Sequence, residues 1–173
     1  MHDKETGESW VVHLLDTGTD TMTGGRIKRA ANFLGKRKFF ATYGDGVSNI
    51  NIRNLFERHE KEGREATISA VRPPARFGGL VINGSAITEF AEKPKVGEGW
   101  INGGFMVFEP SIVNLIEGDR TILERAPLER LTEQGQLTAF LHDGFWQCMD
   151  TVRDRTYLRE LWEAGAPPWK SWS

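Results

Sequence analysis

Apolar residues along this chain recur with two periods, which predicts a mixture of strands and helices. Short apolar or alternating runs predict strands over residues 10–15, 39–43, 66–71, 105–108 and 137–141. Spacing of three and four predicts helices over residues 27–34, 50–62, 110–116, 121–134 and 152–164. Asn83-Gly84 separates two apolar runs and predicts a β-hairpin insertion. The order favours a single α/β domain over residues 1–173, with a mixed, mostly parallel sheet and antiparallel additions.

Composition and charge exclude several classes of protein for this chain. The chain has 173 residues, 39% hydrophobic and 27% charged, with a net charge of −2, which excludes a disordered chain. Its basic residues are scattered and no apolar run approaches the ~20 residues of a membrane span, so we expect no nucleic-acid or membrane partner. A single cysteine fits the reducing cytoplasm. The polar residues 1–9 predict a disordered lead. The tryptophan-containing tail 165–173 predicts packing or a subunit contact in a homo-oligomer, and an unpacked tail is the alternative.

One carboxylate stands where α/β proteins commonly bind ligands. Asp45 lies between Gly44 and Gly46 directly after the predicted strand 39–43. Ligands bind beyond the carboxyl ends of such strands, and neighbours without side chains admit them closely. Asp150, before the last predicted helix, is a second candidate, and Mg²⁺ needs only one or two carboxylates besides phosphate and water oxygens. The alternatives are an Asp-Gly turn at Asp45 and a helix N-cap at Asp150.

Other polar residues beside proline or glycine are candidates for phosphate and sugar contacts. Lys93, in Glu92-Lys93-Pro94, could hold a phosphate as a point charge, or it could be a solvated surface lysine. Asn102 precedes two glycines and could bond sugar hydroxyls, or those glycines could only relieve steric strain. Arg26, at the start of a predicted helix, could meet a phosphate or a base, although the tripeptide around it is a weak signal.

The succession of motifs is more informative than any one of them. In chain order the motifs are Asp16-Thr17-Gly18, Thr21-Met22-Thr23-Gly24-Gly25-Arg26, Thr42-Tyr43-Gly44-Asp45-Gly46-Val47, Pro73-Pro74 with Arg76-Phe77-Gly78, Glu92-Lys93-Pro94, Ile101-Asn102-Gly103-Gly104-Phe105 and Phe145-Trp146-Gln147-Cys148-Met149-Asp150-Thr151. The set resembles the sugar-phosphate nucleotidylyltransferases, and most closely their cytidylyltransferase branch. The second and last motifs are the most specific to that branch.

The resemblance implies a Rossmann-like fold with helices on both faces of the sheet, of the nucleotide-diphospho-sugar transferase type. It implies a reaction of CTP with α-D-glucose 1-phosphate that gives CDP-glucose and pyrophosphate, for dideoxy sugars of surface polysaccharides. The implied Mg²⁺ ligands are Asp45 and Asp150. The implied nucleotide or substrate contacts are Thr21, Arg26 and Gly44, and those on the sugar-phosphate side are Glu92, Lys93, Asn102 and Gly103. The implied catalytic residues are Lys93, Arg26 and Asp45.

The chain departs from the family pattern in one large respect. Members carry a glycine-rich loop with Gly-Thr-Arg-Leu, followed by a Lys-Pro pair, that holds the triphosphate and base, and this chain does not contain it. It resembles the C-terminal two-thirds of such an enzyme, N-terminally truncated, and we expect little or no turnover from it alone. Ala126 also stands in a segment where relatives tend to carry an acid. Two alternatives stay open: a non-catalytic remnant that binds a sugar phosphate or a partner subunit, and a uridylyl- or thymidylyltransferase of the same fold.

Overall fold

The computed structural model describes residues 10–73, 79–83, 85–91 and 99–171. Its helices are α1 Thr23–Leu34, α2 Ile52–Glu62, α3 Ala126–Glu133 and α4 Val152–Glu163, with a 3₁₀ helix over Pro110–Leu115. Its strands are β1 Phe39–Thr42, β2 Gly46–Ser48, β3 Ala66–Val71, β4 Gly79–Asn83, β5 Ala86–Ala91, β6 Ile101–Phe108, β7 Leu137–His142 and β8 Trp146–Cys148. None of the described helices is long and apolar enough to cross a bilayer.

The main sheet has four strands in the order β1-β6-β3-β7. Strand β6 runs antiparallel to both of its neighbours, whereas β3 and β7 pair in parallel, for example through Ile68 and Ala139. Three of the four strands therefore point the same way and β6 is reversed. The sheet is mixed, as the sequence predicts, but two of its three described pairings are antiparallel, so it is not mostly parallel in its pairing. The predicted hairpin is also present, as β4 paired with β5.

Successive side chains on each strand point to opposite faces of the sheet, and helices cover both faces. Phe39 joins the buried cluster that contains residues of α1 and α3. Phe40, the next residue, has its ring 5.7 Å from that of Phe56 in α2. Thr67 of β3 likewise contacts His59 of α2, at 3.0 Å. The sheet is thus enclosed between α1 and α3 on one side and α2 on the other.

The prediction of a strand over residues 10–15 is wrong for this structure. A strand needs a neighbour to pair with, and no described strand pairs with this segment. Trp10, Val12 and Leu14 remain 80%, 74% and 93% exposed. Apolar character alone does not supply a hydrogen-bonding partner for a strand.

Several boundaries differ from the predictions for local reasons. The helix predicted over residues 121–134 begins only at Ala126, because Pro127 favours the first turn of a helix rather than its interior. Strand β6 begins at Ile101, so Asn102 and its two glycines lie in a strand and not in a loop. The sequence predicts no bounds for the three-residue strands β2 and β8, because so short a run carries no periodicity.

The C-terminal tail packs against its own chain in the described residues. The ring of Trp169 lies 5.5 Å from that of Phe145. A subunit contact for residues 165–173 stays a prediction, and the predicted lead over residues 1–9 lies outside the described residues.

Candidate active site

A pocket of about 500 Å³ opens where β1 ends. Its walls come from the first turns of α1, the turn after β1, the middle of β6 and the end of β8. The lining residues are Thr23, Arg26, Ile27, Ala41, Thr42, Tyr43, Gly44, Asp45, Gly46, Gly103, Gly104, Phe105, Met106, Leu123, Trp146, Cys148 and Asp150. Five residues that the sequence singles out therefore meet here: Arg26, Gly44, Asp45, Gly103 and Asp150.

Asp45 and Asp150 reach one pocket because the two short strands beside them pair. Strands β2 and β8 are antiparallel, with Gly46 opposite Cys148. The Met149 amide extends this ladder and donates to the Asp45 carbonyl at 2.7 Å. Asp150, the next residue, thus lines the same pocket as Asp45, although 105 positions of sequence separate them. Two carboxylates at adjoining strand ends are an oxygen donor set that suits a hard divalent cation.

Asp150 is not the N-cap of α4. Thr151 takes that position, since its side chain accepts from the Asp154 amide while the Asp154 carboxylate accepts from the Thr151 amide. The commonplace alternative for Asp150 is therefore wrong. The alternative for Asp45 does hold, because Asp45 lies in a turn between β1 and β2. At Asp45 the turn and the pocket position coexist.

Arg26 is held at the pocket edge by the segment that precedes α1. Its guanidinium donates to the Thr17 hydroxyl at 2.5 Å and to the Thr19 carbonyl at 3.2 Å. The two contacts fix the direction of a long cationic side chain before any ligand arrives. Arg26 is exposed, so its remaining donors are accessible to a phosphate.

The glycines before Arg26 serve packing rather than direct ligand contact. A Cβ on Gly24 would lie 2.7 Å from the Thr121 carbonyl oxygen, and one on Gly25 would lie 2.6 Å from the Asp119 carbonyl oxygen. The Gly24 amide donates to the Thr121 carbonyl at 2.9 Å. The start of α1 can therefore approach residues 119–121 only without side chains at these positions, and this approach positions Arg26.

Thr21 does not line the pocket. It is buried, with 6% of its surface exposed, and its methyl group lies 2.7 Å from where a Cβ of Gly25 would be. Its place under the start of α1 suits support of the loop better than contact with substrate.

Three residues that sequence reasoning did not assign form a hydrogen-bond network at the pocket wall. The Glu124 carboxylate accepts from the Tyr43 phenol at 2.5 Å and from the Thr23 hydroxyl at 2.8 Å. The Leu123 amide in turn donates to the Thr23 hydroxyl at 3.0 Å. Burial, and next the Glu124 carboxylate, raise the pKa of Tyr43 above its ordinary value. Tyr43 and Thr23 lie within motifs that the sequence singled out, but nothing in sequence spacing connects either to Glu124.

Asn102 supports this wall from β6. Its side-chain oxygen accepts from the Gly104 amide at 2.9 Å, and its nitrogen lies 3.4 Å from the Tyr43 phenol oxygen. Gly104 has a positive φ of 79°, and a Cβ there would lie 2.5 Å from the Tyr43 ring. A Cβ on Gly103 would meet Val71 at 2.6 Å. These glycines thus permit close packing of neighbouring strands and of the Tyr43 ring.

Trp146 also lines the pocket and was not assigned from the sequence. Its indole nitrogen donates to the Gly103 carbonyl at 2.8 Å, which ties β8 to β6 across the pocket floor. Glu92 and Lys93, the other two predicted site residues, lie outside the described residues, as do residues 74–78 of the Pro-Pro motif.

The chain matches a known family model and a set of curated proteins. The model described as Nucleotidyl transferase matches residues 12–157. Glucose-1-phosphate cytidylyltransferase from Salmonella typhimurium is 48% identical over 173 residues, which are 99% of this chain and 67% of that protein. Mannose-1-phosphate guanyltransferase from Aspergillus oryzae is 34% identical over 144 residues, which are 79% of this chain and 39% of that protein. The chain thus spans about two thirds of the length of the Salmonella protein.

Solved structures support the same fold. HddC from Yersinia pseudotuberculosis superposes with a TM-score of 0.63 at 24% identity, over 83% of this chain and 64% of that one. The structure of a protein from Bacillus anthracis that is described as a putative glucose-1-phosphate thymidylyltransferase superposes with a TM-score of 0.58 at 19% identity, over 81% of this chain and 61% of that one. These likenesses confirm the predicted α/β nucleotidyltransferase-type fold.

Proposed function

This chain belongs to the nucleotidyl transferase family, as its motifs predict, and we propose that it takes part in transfer of a cytidylyl group from CTP to α-D-glucose 1-phosphate. The products are CDP-glucose and pyrophosphate. The observation that carries the proposal is the meeting of Arg26, Asp45 and Asp150 in one pocket at the end of β1. An arginine that can bind phosphate, together with two carboxylates that can hold a divalent cation, suits a reaction between two phosphate compounds.

We assign Asp45 and Asp150 as the residues that would hold Mg²⁺. The β2–β8 ladder supports this assignment, because it brings both acids to one wall of the pocket. Both offer carboxylate oxygens, the ligand type that Mg²⁺ prefers, and phosphate and water oxygens would complete the octahedron. When bound, the ion offsets phosphate charge and aligns the reacting groups.

The chemical step is a single displacement at phosphorus. An oxygen of glucose 1-phosphate attacks the α-phosphorus of CTP in line with the leaving group, and the bond from that phosphorus to pyrophosphate breaks. No covalent intermediate with the protein forms. Arg26, held by Thr17 and Thr19, donates to phosphate oxygens and offsets the repulsion between two anions. Lys93 and Glu92 are assigned to the sugar phosphate by resemblance.

Neighbouring residues support the site by holding the wall of the pocket in place. Asn102 and Glu124 hold the Tyr43 phenol from two sides, and Trp146 ties β8 to β6. We infer that Asn102 acts chiefly by fixing Tyr43 and the Gly104 backbone, since its side-chain oxygen already accepts from that amide. Gly103 lines the pocket without a side chain, and its carbonyl accepts from the Trp146 indole.

Binding of the sugar nucleotide tests the proposal directly. With Mg²⁺ present, CDP-glucose titrated calorimetrically into the chain is expected to bind more tightly than UDP-glucose, dTDP-glucose or GDP-mannose. Arg26→Ala is expected to weaken CDP-glucose binding at least tenfold, because a charge-assisted bond to phosphate is worth about 1.5–3 kcal/mol. Arg29→Ala is the matched control, since Arg29 lies on the same helix but pairs with Asp119 away from the pocket.

Each alternative function predicts a different binding result. Preference for UDP-glucose or dTDP-glucose would favour the uridylyl- or thymidylyltransferase. If glucose 1-phosphate binds but none of the sugar nucleotides does, the non-catalytic remnant would be favoured. Failure of every one of these ligands to bind would refute the proposal. Pyrophosphate release from CTP and glucose 1-phosphate at ~1 s⁻¹ or more would contradict the expectation of little turnover by the chain alone.

A further inference from the structure

A second group of charged side chains lies at the other end of β1, about 10 Å along the strand from the pocket. Lys38 immediately precedes β1 and Glu109 immediately follows β6, at positions brought together by the pairing of Phe39 with Phe108. The last turns of α2 place His59 and Glu60 beside them. Three possible ligand atoms lie within 4.8 Å of one another, one each from His59, Glu60 and Glu109.

His59 is oriented as a metal-binding histidine is oriented. Only 1% of it is exposed, and its Nδ1 lies 3.0 Å from the Thr67 hydroxyl. Its Nε2 is buried and makes no hydrogen bond of good geometry in the described part of the chain, although Glu109 Oε1 lies within ion-pair distance of it. A histidine that binds a metal through one ring nitrogen typically has the other nitrogen held by a polar partner. Thr67 fills that role here and leaves Nε2 directed at the carboxylates.

The spacing around Nε2 matches a small tetrahedral cation. Nε2 lies 3.3 Å from Glu109 Oε1. Two ligands on a tetrahedral Zn²⁺ with bonds of about 2.0–2.1 Å lie about 3.3–3.4 Å apart. Glu60 is 46% exposed, so its side chain can close the remaining gap and solvent can supply a fourth ligand.

In this structure the ammonium of Lys38 occupies the anionic part of the cluster. It lies 2.9 Å from Glu109 Oε1 and also donates to Glu60. These two contacts show that the cluster attracts cations. Lys38 is itself 38% exposed on a flexible stem, so it can swing into solvent when another cation arrives.

We propose that His59, Glu60 and Glu109 form a binding site for a divalent transition metal such as Zn²⁺, in competition with the ammonium of Lys38. The site is separate from the pocket that holds Asp45 and Asp150. Its one nitrogen and two carboxylate ligands favour Zn²⁺ over Mg²⁺, which prefers oxygen alone. Because it joins the end of α2 to the end of β6, a bound ion would brace these elements and raise the thermal stability of the chain.

Calorimetric titration of Zn²⁺ into the full chain, with excess Mg²⁺ to saturate any oxygen-only site, tests this proposal. Zn²⁺ is expected to bind the unaltered chain with one site of this type. Lys38→Met should tighten binding at least tenfold, because it removes the competing cation and keeps most of the stem. Glu60→Gln should weaken binding at least tenfold, and His59→Gln should abolish it.

A ligand-specific signal separates metal binding from a structural effect of the variants. The ring-nitrogen NMR resonance of His59 should shift on addition of Zn²⁺ in the unaltered chain and in Lys38→Met. Glu60→Gln changes a half-exposed side chain, so it remains informative even if the buried His59→Gln variant does not fold. Absence of Zn²⁺ binding to the unaltered chain, or binding that Glu60→Gln leaves unchanged, would overturn the proposal and leave the cluster as an internal ion-pair group.

Discussion

The phenol of Tyr43 donates a 2.5 Å hydrogen bond to Glu124, which ties the end of β1 to the segment before α3. The same carboxylate accepts from Thr23 on α1. One side chain thus holds together the three parts of the chain that form one side of the pocket. The geometry of the pocket therefore depends on a residue that does not line it.

Glu124→Ala is expected to destabilise the chain by about 1–3 kcal/mol, because two partly buried hydroxyls lose a charged acceptor. Urea denaturation of the unaltered chain and of Glu124→Ala measures the difference in free energy of unfolding. Glu117→Ala is the control: Glu117 is 79% exposed and pairs only with exposed Arg130 in the described residues, so its loss should change the free energy of unfolding by no more than about 0.5 kcal/mol. Equal losses in the two variants would contradict a structural role for Glu124.

Tyr43 should resist ionisation in the folded chain. Burial and the Glu124 charge both disfavour its phenolate, so its pKa lies above the ordinary value of about 10. The chain has only one other tyrosine, so Tyr157→Phe isolates the signal. In that variant, the phenolate absorbance of the folded chain is expected to stay below half its maximum at pH 10. In denaturant, the same variant should reach about half its maximum absorbance at pH 10. Adding Glu124→Gln should lower the folded pKa.

The sign of the linked stability change follows from this shift. A phenol with a raised folded pKa contributes stability that is fully present below pH ~10 and is lost as the pH rises beyond it. Tyr43→Phe should therefore flatten the decline of unfolding free energy above pH 10. A Tyr43 titration in the folded chain that matches the one in denaturant would contradict the described burial.

The sequence predicts most elements because their signals are local. The glycine stop after α2 is one example: Gly63 adopts a left-handed conformation and its amide donates to the His59 carbonyl. The hairpin at Asn83-Gly84 is another. Such features depend on a few neighbouring residues, which the sequence displays directly.

The features that the sequence does not reveal depend on long-range pairing. Asp45 and Asp150 come to line one pocket only through β2 and β8, strands of three residues each. The link between Tyr43 and Glu124 spans 81 positions. The order of motifs points to these acids through family resemblance, but only the fold explains how both come to line one pocket.

Gly25→Ala is expected to lower stability by about 1–3 kcal/mol. Alanine is the better helix former by about 1 kcal/mol. Its Cβ, however, would lie 2.6 Å from the carbonyl oxygen of Asp119 and 2.7 Å from the Cα of Asp119. The steric cost exceeds the gain in helix propensity because the contacting atoms belong to the backbone and cannot swing aside. Thermal or urea unfolding measures the loss.

Gly44→Ala is the matched control for this prediction. A Cβ on Gly44 would meet no atom within 4 Å, and its φ lies outside the left-handed region. Its substitution should leave unfolding free energy within about 0.5 kcal/mol while weakening CDP-glucose binding, since Gly44 lines the pocket. If Gly25→Ala and Gly44→Ala lowered stability by similar amounts, Gly25 would not be needed for the packing of α1 on residues 119–121.

Asp45 and Asp150 are expected to act on one Mg²⁺ ion as a unit. Asp45→Asn and Asp150→Asn should each weaken Mg²⁺ binding at least tenfold, and the double variant should bind little more weakly than the weaker single variant. This follows because loss of either ligand from a shared ion already removes most of what the other contributes, so the free energies are coupled. Amide NMR shifts of Gly46 and Met149, which flank the two acids, report binding at this pocket rather than elsewhere.

Asp143→Asn is the control, since Asp143 is 77% exposed and lies 3.8 Å from Arg72. It should leave the Mg²⁺ titration unchanged. If the losses from Asp45→Asn and Asp150→Asn simply add in the double variant, the two carboxylates do not share an ion. The pocket would then hold its phosphates through Arg26 and a metal bound by one acid alone, and the pairing of β2 with β8 would serve the fold rather than the metal.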